Sequence, residues 1–241
     1  DTWYNNDAAF HSILNPILDE LKSHMVDGII YIAGQARKIN CFPENFGTPA
    51  VMAYAYDQNP MVPAVLPDDE TSAYQMTRYL IRKGHKKIAL LAGREDNLHN
   101  RRRLKGYQNA LFDAQILYNP RLVRYVDWNK PSGYQETKRL LKEDITAIFC
   151  MSDMIAGGVY QYLDEQGLRA GRDVSVVGFD NHVLSEYMIP GLTTMALPLK
   201  EIGTTSAKLL FDQIEKGEVE MNREILIPCF FVERCSVKEI K

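Results

Sequence analysis

Apolar residues in this chain gather into five short runs, separated by longer stretches with a helical period. The runs are GIIYIAG (Gly28–Gly34), AVMAYAY (Ala50–Tyr56), KKIALLAG (Lys86–Gly93), AIFCMSD (Ala147–Asp153) and VSVVGFDN (Val174–Asn181). Each is partly β-branched or aromatic and apolar at both odd and even positions, which is how a strand covered on both faces reads. A further segment, Arg124–Trp128 (RYVDW), ends on an aromatic. Helical spacing is predicted over Asp7–Lys22, where Pro16 bends the helix or moves its start, and over Glu70–Lys83, which Gly84 stops. It recurs over Leu104–Ala114, Ser132–Lys142, Asp153–Gln166 and Lys200–Lys216. Pro131 and Ser132 mark a helix start, and Gly167 and Gly217 mark helix stops.

Alternating strands and helices predict an α/β fold with parallel sheet. Such sheets bind ligands at the carboxyl ends of their strands. Those ends carry REDNLHNRRR, SD, FDN and Trp128, whereas the opposite ends are plain (GH, DIT, GRD). An aromatic-lined polar mouth suits a small polar ligand. Two Pro-containing stretches, Ala53–Val65 and Thr193–Glu201, are expected to cross between lobes.

Composition narrows this picture. A chain of 241 residues, 46% hydrophobic and 24% charged, is long enough for one large α/β domain or two smaller lobes. Its 28 basic and 31 acidic side chains leave a net charge of −3, which argues against a broad nucleic-acid-binding surface. The cysteines Cys41, Cys150, Cys229 and Cys235 form no CxxC pair, so reduced thiols in a cytoplasmic protein are expected, with no metal, cofactor or disulfide framework. The opening DTWYNNDAAF has neither a basic n-region nor an apolar h-region, so no signal peptide is expected, and no apolar run is long enough to span a bilayer. Asp153, Asp180 and His99 could form an acid–base set. Yet GxSxG, HExxH, GxGxxG and Walker-type loops are missing, and no catalytic residue is assigned.

Several segments in order, GHKKIALLAG, RRRLKGYQNAL, AIFCMSDMIAGGVYQYLDEQGLRAGRDVSVVGFDN, PGLTTMALP and LIPCFFVERCSV, resemble the effector-binding core of LacI-type (lactose-repressor/purine-repressor) transcriptional regulators. The resemblance covers nearly the whole chain and is strongest from Gly84 onward. It implies a two-lobed, periplasmic-binding-protein-like fold with parallel sheets flanked by helices. The smaller lobe would hold 1–66 plus 198–222, and the larger 67–197 plus 223–241. Against the family pattern the chain begins after the DNA-reading head and after the smaller lobe's first strand and helix. Periplasmic sugar-binding proteins share the fold, so a periplasmic or lipoprotein sugar receptor is the alternative.

The resemblance also implies a small effector, a sugar or sugar derivative, held in a cleft between the lobes. Its contacts would fall on Arg103, Asp180, Trp128, Ser152, Asp153, Asn97 and His99. Ser152 stands where many members have asparagine, and Tyr54 where many have aspartate. Asp180 can accept from adjacent hydroxyls, Arg103 offers a fork of donors, and Trp128 offers a face for the C–H side of a pyranose. Each has a plainer reading too: Asp180 as a turn residue, Arg101 and Arg102 as a solvated helix start, Trp128 as core, and Asp153 as a helix cap. His85 and His182 read as turn and surface residues. Tyr187, Met188 and Ile189 are expected to contribute to a homodimer surface. Operator DNA would be bound only through a helix-turn-helix that these residues lack, and no membrane contact is expected.

Overall fold

In the computed structural model, which describes residues 7–34, 38–217 and 223–240, the chain divides into two compact units. One comprises Asp1–Pro67 and Leu199–Ile227, the other Asp68–Pro198 and Pro228–Lys241. The opening residues 1–6 lie outside the described residues, and the return to the larger lobe, expected after 222, comes after Ile227, because Glu224–Ile227 pairs as a strand with Ala64–Pro67. The first unit begins with α1 (Asp7–Ser23), β1 (Ile29–Ile32), β2 (Lys38–Ile39), β3 (Ala50–Ala53), β4 (Tyr56–Asp57) and β5 (Ala64–Pro67). The second runs through α2 (Asp69–Arg82), β6 (Ile88–Ala92), α3 (Leu98–Asp113), β7 (Val123–Tyr125), α4 (Lys130–Leu140), β8 (Ala147–Cys150), α5 (Asp153–Glu165), β9 (Ser175–Val177), α6 (Leu184–Tyr187) and β10 (Thr194–Ala196). The chain returns to the first unit for α7 (Leu199–Lys216) and β11 (Glu224–Ile227), then closes in the second with β12 (Phe230–Val232).

The first unit's main sheet has the order β1-β3-β5-β11, every pair parallel. Val51, Ala53 and Val65 on its strands pack against Ile202 and Leu209 of α7. The stretch 53–65, expected to cross between lobes, does not: the boundary follows Pro67, and Ala64–Pro67 is a strand with neighbours on both sides. Four buried residues behind Pro60 and Pro63 carry too short a signal to read as a strand. β1 also departs from expectation, because Ile32 is 76% exposed. Among the described residues β1 lies at the sheet edge, paired only with β3. Pro16 lies inside α1.

The second unit's sheet has the order β7-β6-β8-β9, again all parallel. Its strands alternate as the sequence pattern requires. Ala89, Leu91, Ile148, Cys150 and Val176 pack on one face with Leu140, Ile155 and Val159 of α4 and α5. Ile88, Leu90, Ala92, Ala147, Phe149 and Val177 pack on the other with Met76, Leu80, Tyr107 and Leu111 of α2 and α3. Helices therefore cover both faces, and the polar residues that follow β6, β8 and β9 are left at one end of the sheet. β10 and β12 add a small antiparallel pair.

Candidate functional site

Three helix starts set the geometry at the carboxyl ends of the second unit's strands. Asn97 caps α3, its side chain accepting from Asn100 N at 3.2 Å. The helix thus begins at Leu98 and not at Leu104, so Asn97 and His99 are not free loop positions: Asn97 is a buried cap and His99 lies in the first helical turn. The polar run HNRRR hid that start, since it supplies few apolar marks for a period. Ser152 caps α5 by accepting from Met154 N at 3.2 Å. Asn129 caps α4, and Trp128 directly precedes it.

One of three adjacent arginines turns inward. Arg101 is exposed, whereas Arg103 is 2% exposed. Its Nε donates to Asp69 Oδ1 at 2.7 Å, and its Nη1 donates to the Met151 carbonyl. Its guanidinium carbon lies 3.6 Å from the Phe179 ring centroid, a cation–π contact. Nη1 also stands 3.6 Å from Asp180 Oδ1. The second oxygen of Asp69 pairs with His99 Nδ1. Burial alone would raise the Asp69 carboxyl, but the charges of Arg103 and His99 outweigh it and hold the group below the usual carboxylate range.

Asp180 is the member of this set that keeps exposure, at 28% of its side chain. Burial pushes its carboxyl upward and the like charge of Asp69 adds to that, against the pull of Arg103 and a hydrogen bond with Ser152. Its backbone is unusual: φ is +107° at Asp180 and +53° at Asn181, conformations disfavoured for side chains with a Cβ. Two backbone bonds impose them, Asp180 N donating to Met195 O at 2.8 Å and Leu197 N donating to Asp180 O at 3.4 Å.

Asp153 does not cap its helix; Ser152 does. Asp153 is fully buried, and its oxygens accept from Thr194 Oγ1 and His182 N, both at 2.7 Å. It therefore holds the loop after β9 and does not present a carboxylate outward. Burial pushes its carboxyl up to about 7. Trp128 is half-buried and packs against both core clusters, its ring seated on Gly93, where a Cβ would lie 1.9 Å from Cζ2. At the proposed dimer surface, Tyr187 is 76% and Ile189 is 90% exposed, but Met188 is 8% exposed and belongs to the core, so its side chain is not available for contact.

The sequence reading missed Asp69 and Asn100. Asp69 had a signal: in the run Asp68-Asp69-Glu70 the first acid caps α2, accepting from Thr71 N, and the second falls on the helix face buried with Ser72, Ala73 and Met76. Asn100 is fully buried, and neither side-chain atom has a hydrogen-bond partner among the described residues. No cluster of three or more His, Cys, Asp or Glu that could hold a metal occurs among the described residues.

A family model described as a periplasmic binding protein-like domain matches residues 77–237. The chain is 30% identical over 220 residues to catabolite control protein A of Priestia megaterium, covering 90% of this chain and 65% of that protein. It is 31% identical over 226 residues to the HTH-type transcriptional repressor CytR of Escherichia coli strain K12, covering 92% and 66%. A solved LacI family transcriptional regulator from Enterococcus faecium, with bound ribose, superposes with a TM-score of 0.78 at 32% identity, covering 95% of this chain and 86% of that one. The chain belongs to the LacI family, with its periplasmic-binding-protein-like domain. As a LacI-family chain it spans about 65% of the length of the curated relatives it matches.

Proposed function

We propose that this chain is the effector-binding and dimerisation core of a LacI-type transcriptional regulator and that it senses a sugar or sugar derivative. The observation that carries the reading is the buried guanidinium of Arg103, fixed by Asp69, the Met151 carbonyl and the Phe179 ring beside the part-exposed carboxylate of Asp180. A carboxylate in this position accepts from vicinal hydroxyls, and the adjacent fixed cation of Arg103 pulls against the upward push of burial and orients it. Trp128 supplies an apolar face. The ribose bound to the Enterococcus faecium relative supports the carbohydrate class. Operator binding is assigned to a helix-turn-helix outside these 241 residues, and the protein is read as a cytoplasmic homodimer without catalytic activity.

Thermal-shift screening of pentoses, hexoses, sugar phosphates and nucleosides tests the reading, followed by calorimetry on Asp180→Ala. A sugar should raise the unfolding temperature, and Asp180→Ala should abolish its saturable binding while the protein still unfolds cooperatively. Unchanged affinity in that variant would sink the assignment.

A further inference from the structure

Arg234, just after β12, carries a guanidinium that is 17% exposed and reaches three stretches of the second unit at once. Its Nη2 donates to Asn181 Oδ1 at 2.9 Å, in the turn that carries Asp180. Its Nη1 donates to the Leu192 carbonyl at 2.8 Å and to Ser185 Oγ at 3.3 Å. Nη2 also donates to Glu186 Oε1 at 3.4 Å, and Ser185 and Glu186 both belong to α6. The backbone is fixed too, since Arg234 N donates to Thr193 Oγ1 at 3.0 Å.

A planar guanidinium holds several acceptors in one fixed relative orientation, which an ammonium or a neutral amide does not. Asn181 sits at φ +53°, directly after Asp180 at φ +107°, so the backbone at Asn181 sets how the Asp180 carboxylate leaves the turn. Asn181 Oδ1 accepts twice, from Arg234 and from Ser185 Oγ at 3.3 Å. On its other side the turn is held by Asp153, which accepts from His182 N at 2.7 Å. Ser185 is tied in by its backbone as well: its N–H donates to the His182 carbonyl at 2.8 Å, and its carbonyl accepts from Leu192 N at 2.9 Å. One of the two grips on the turn is thus shared with α6, which ends at the exposed Tyr187, two residues before the exposed Ile189. A displacement of α6 either breaks the Arg234 bonds or carries Asn181 with it.

We propose that Arg234 is a positioning residue that sets the Asp180 turn and couples it to the α6 face. The coupling rests on the reading of Asp180 as a ligand contact and of Tyr187 and Ile189 as dimer surface; what binds at either end then biases the other. The test is hydrogen exchange of the full chain, read by mass spectrometry on fragments spanning 178–187, at concentrations above and below the dimer dissociation constant from sedimentation. No ligand is added, so the result does not depend on which sugar binds. In the native protein these amides should exchange about fivefold more slowly in the dimer. In Arg234→Gln they should exchange about tenfold faster than in the native dimer, as expected when hydrogen bonds to a charged group are lost, and stop responding to dilution. Exchange in β6 and β8 should stay as in the native protein, which a general loss of stability would not allow. Arg234→Lys, which keeps the charge without the fork, should behave like Arg234→Gln. A response to dilution retained in Arg234→Gln, equal acceleration in β6 and β8, or full rescue by lysine would overturn the proposal. A native chain that is monomeric at every concentration would instead overturn the dimer reading, and the coupling with it.

Discussion

Replacing Asp69 by asparagine tests what holds Arg103, and it also alters the pairing with His99. The substitution keeps the shape of the side chain and an oxygen able to accept from Nε, but it removes the charge opposite a guanidinium that is 2% exposed. Two unit charges about 4 Å apart in an effective dielectric of about 20 attract by about 4 kcal/mol. Measured losses on breaking a buried pair are about 3–5 kcal/mol. Asparagine retains a neutral hydrogen bond, and relief of repulsion between Asp69 and Asp180 returns part of the rest. The expected loss is therefore about 3 kcal/mol, or a fall of roughly 6–12 °C in unfolding temperature for a chain of this size. Urea titration of both proteins checks it. Because Asp69 is held below the usual carboxylate range, its contribution is present above the unfolded-state pKa of about 3.9 and is lost as pH falls through the folded-state value. The gap between the native protein and Asp69→Asn should thus be full at neutral pH and close on acidification. A loss below about 1 kcal/mol at pH 7 would refute the reasoning and shift the anchoring of Arg103 to Met151 and Phe179.

Asp153 should show the opposite sign. Its carboxyl is pushed up to about 7, so between about pH 4 and that value the folded state holds a proton the unfolded state has released, and stability falls as pH rises. Asp153→Asn should remove that slope, flattening urea stability between pH 4 and 7 by up to a few kcal/mol; parallel curves would contradict the assignment. Placing lysine at both Tyr187 and Ile189, which are 76% and 90% exposed, should shift the proposed dimer toward monomer in sedimentation velocity without lowering unfolding cooperativity. An unchanged sedimentation coefficient would remove those residues from the interface.

The second unit was the more legible part of the sequence because its central strands are covered on both faces. Runs such as IALLA and AIFC contain no polar interruption, and each appears as a buried strand. β5 and β11, with AVLP and EILI, are too short and too close to proline or charge to stand out. Arg103 and Asp180 were expected from the family resemblance, and the structure brings Arg103 Nη1 to 3.6 Å from Asp180 Oδ1. Asp69 was not, because its role depends on α2 meeting α3 across 34 residues of sequence, a tertiary fact without a local period. The start of α3 was lost for the reverse reason: its cap is an asparagine in a polar run, and caps are read most easily when an apolar stripe follows. The capping position fell to Ser152 and not to Asp153, since adjacent residues at a helix start compete for it and sequence does not rank them.

For the sugar site proposed above, the immobilised guanidinium of Arg103 has a kinetic consequence. A side chain already gripped on three sides has no rotamer search to complete when a ligand arrives, so the encounter on this unit should proceed without a slow local adjustment. Ligands that differ by a single hydroxyl should then associate at similar rates and separate in their residence times.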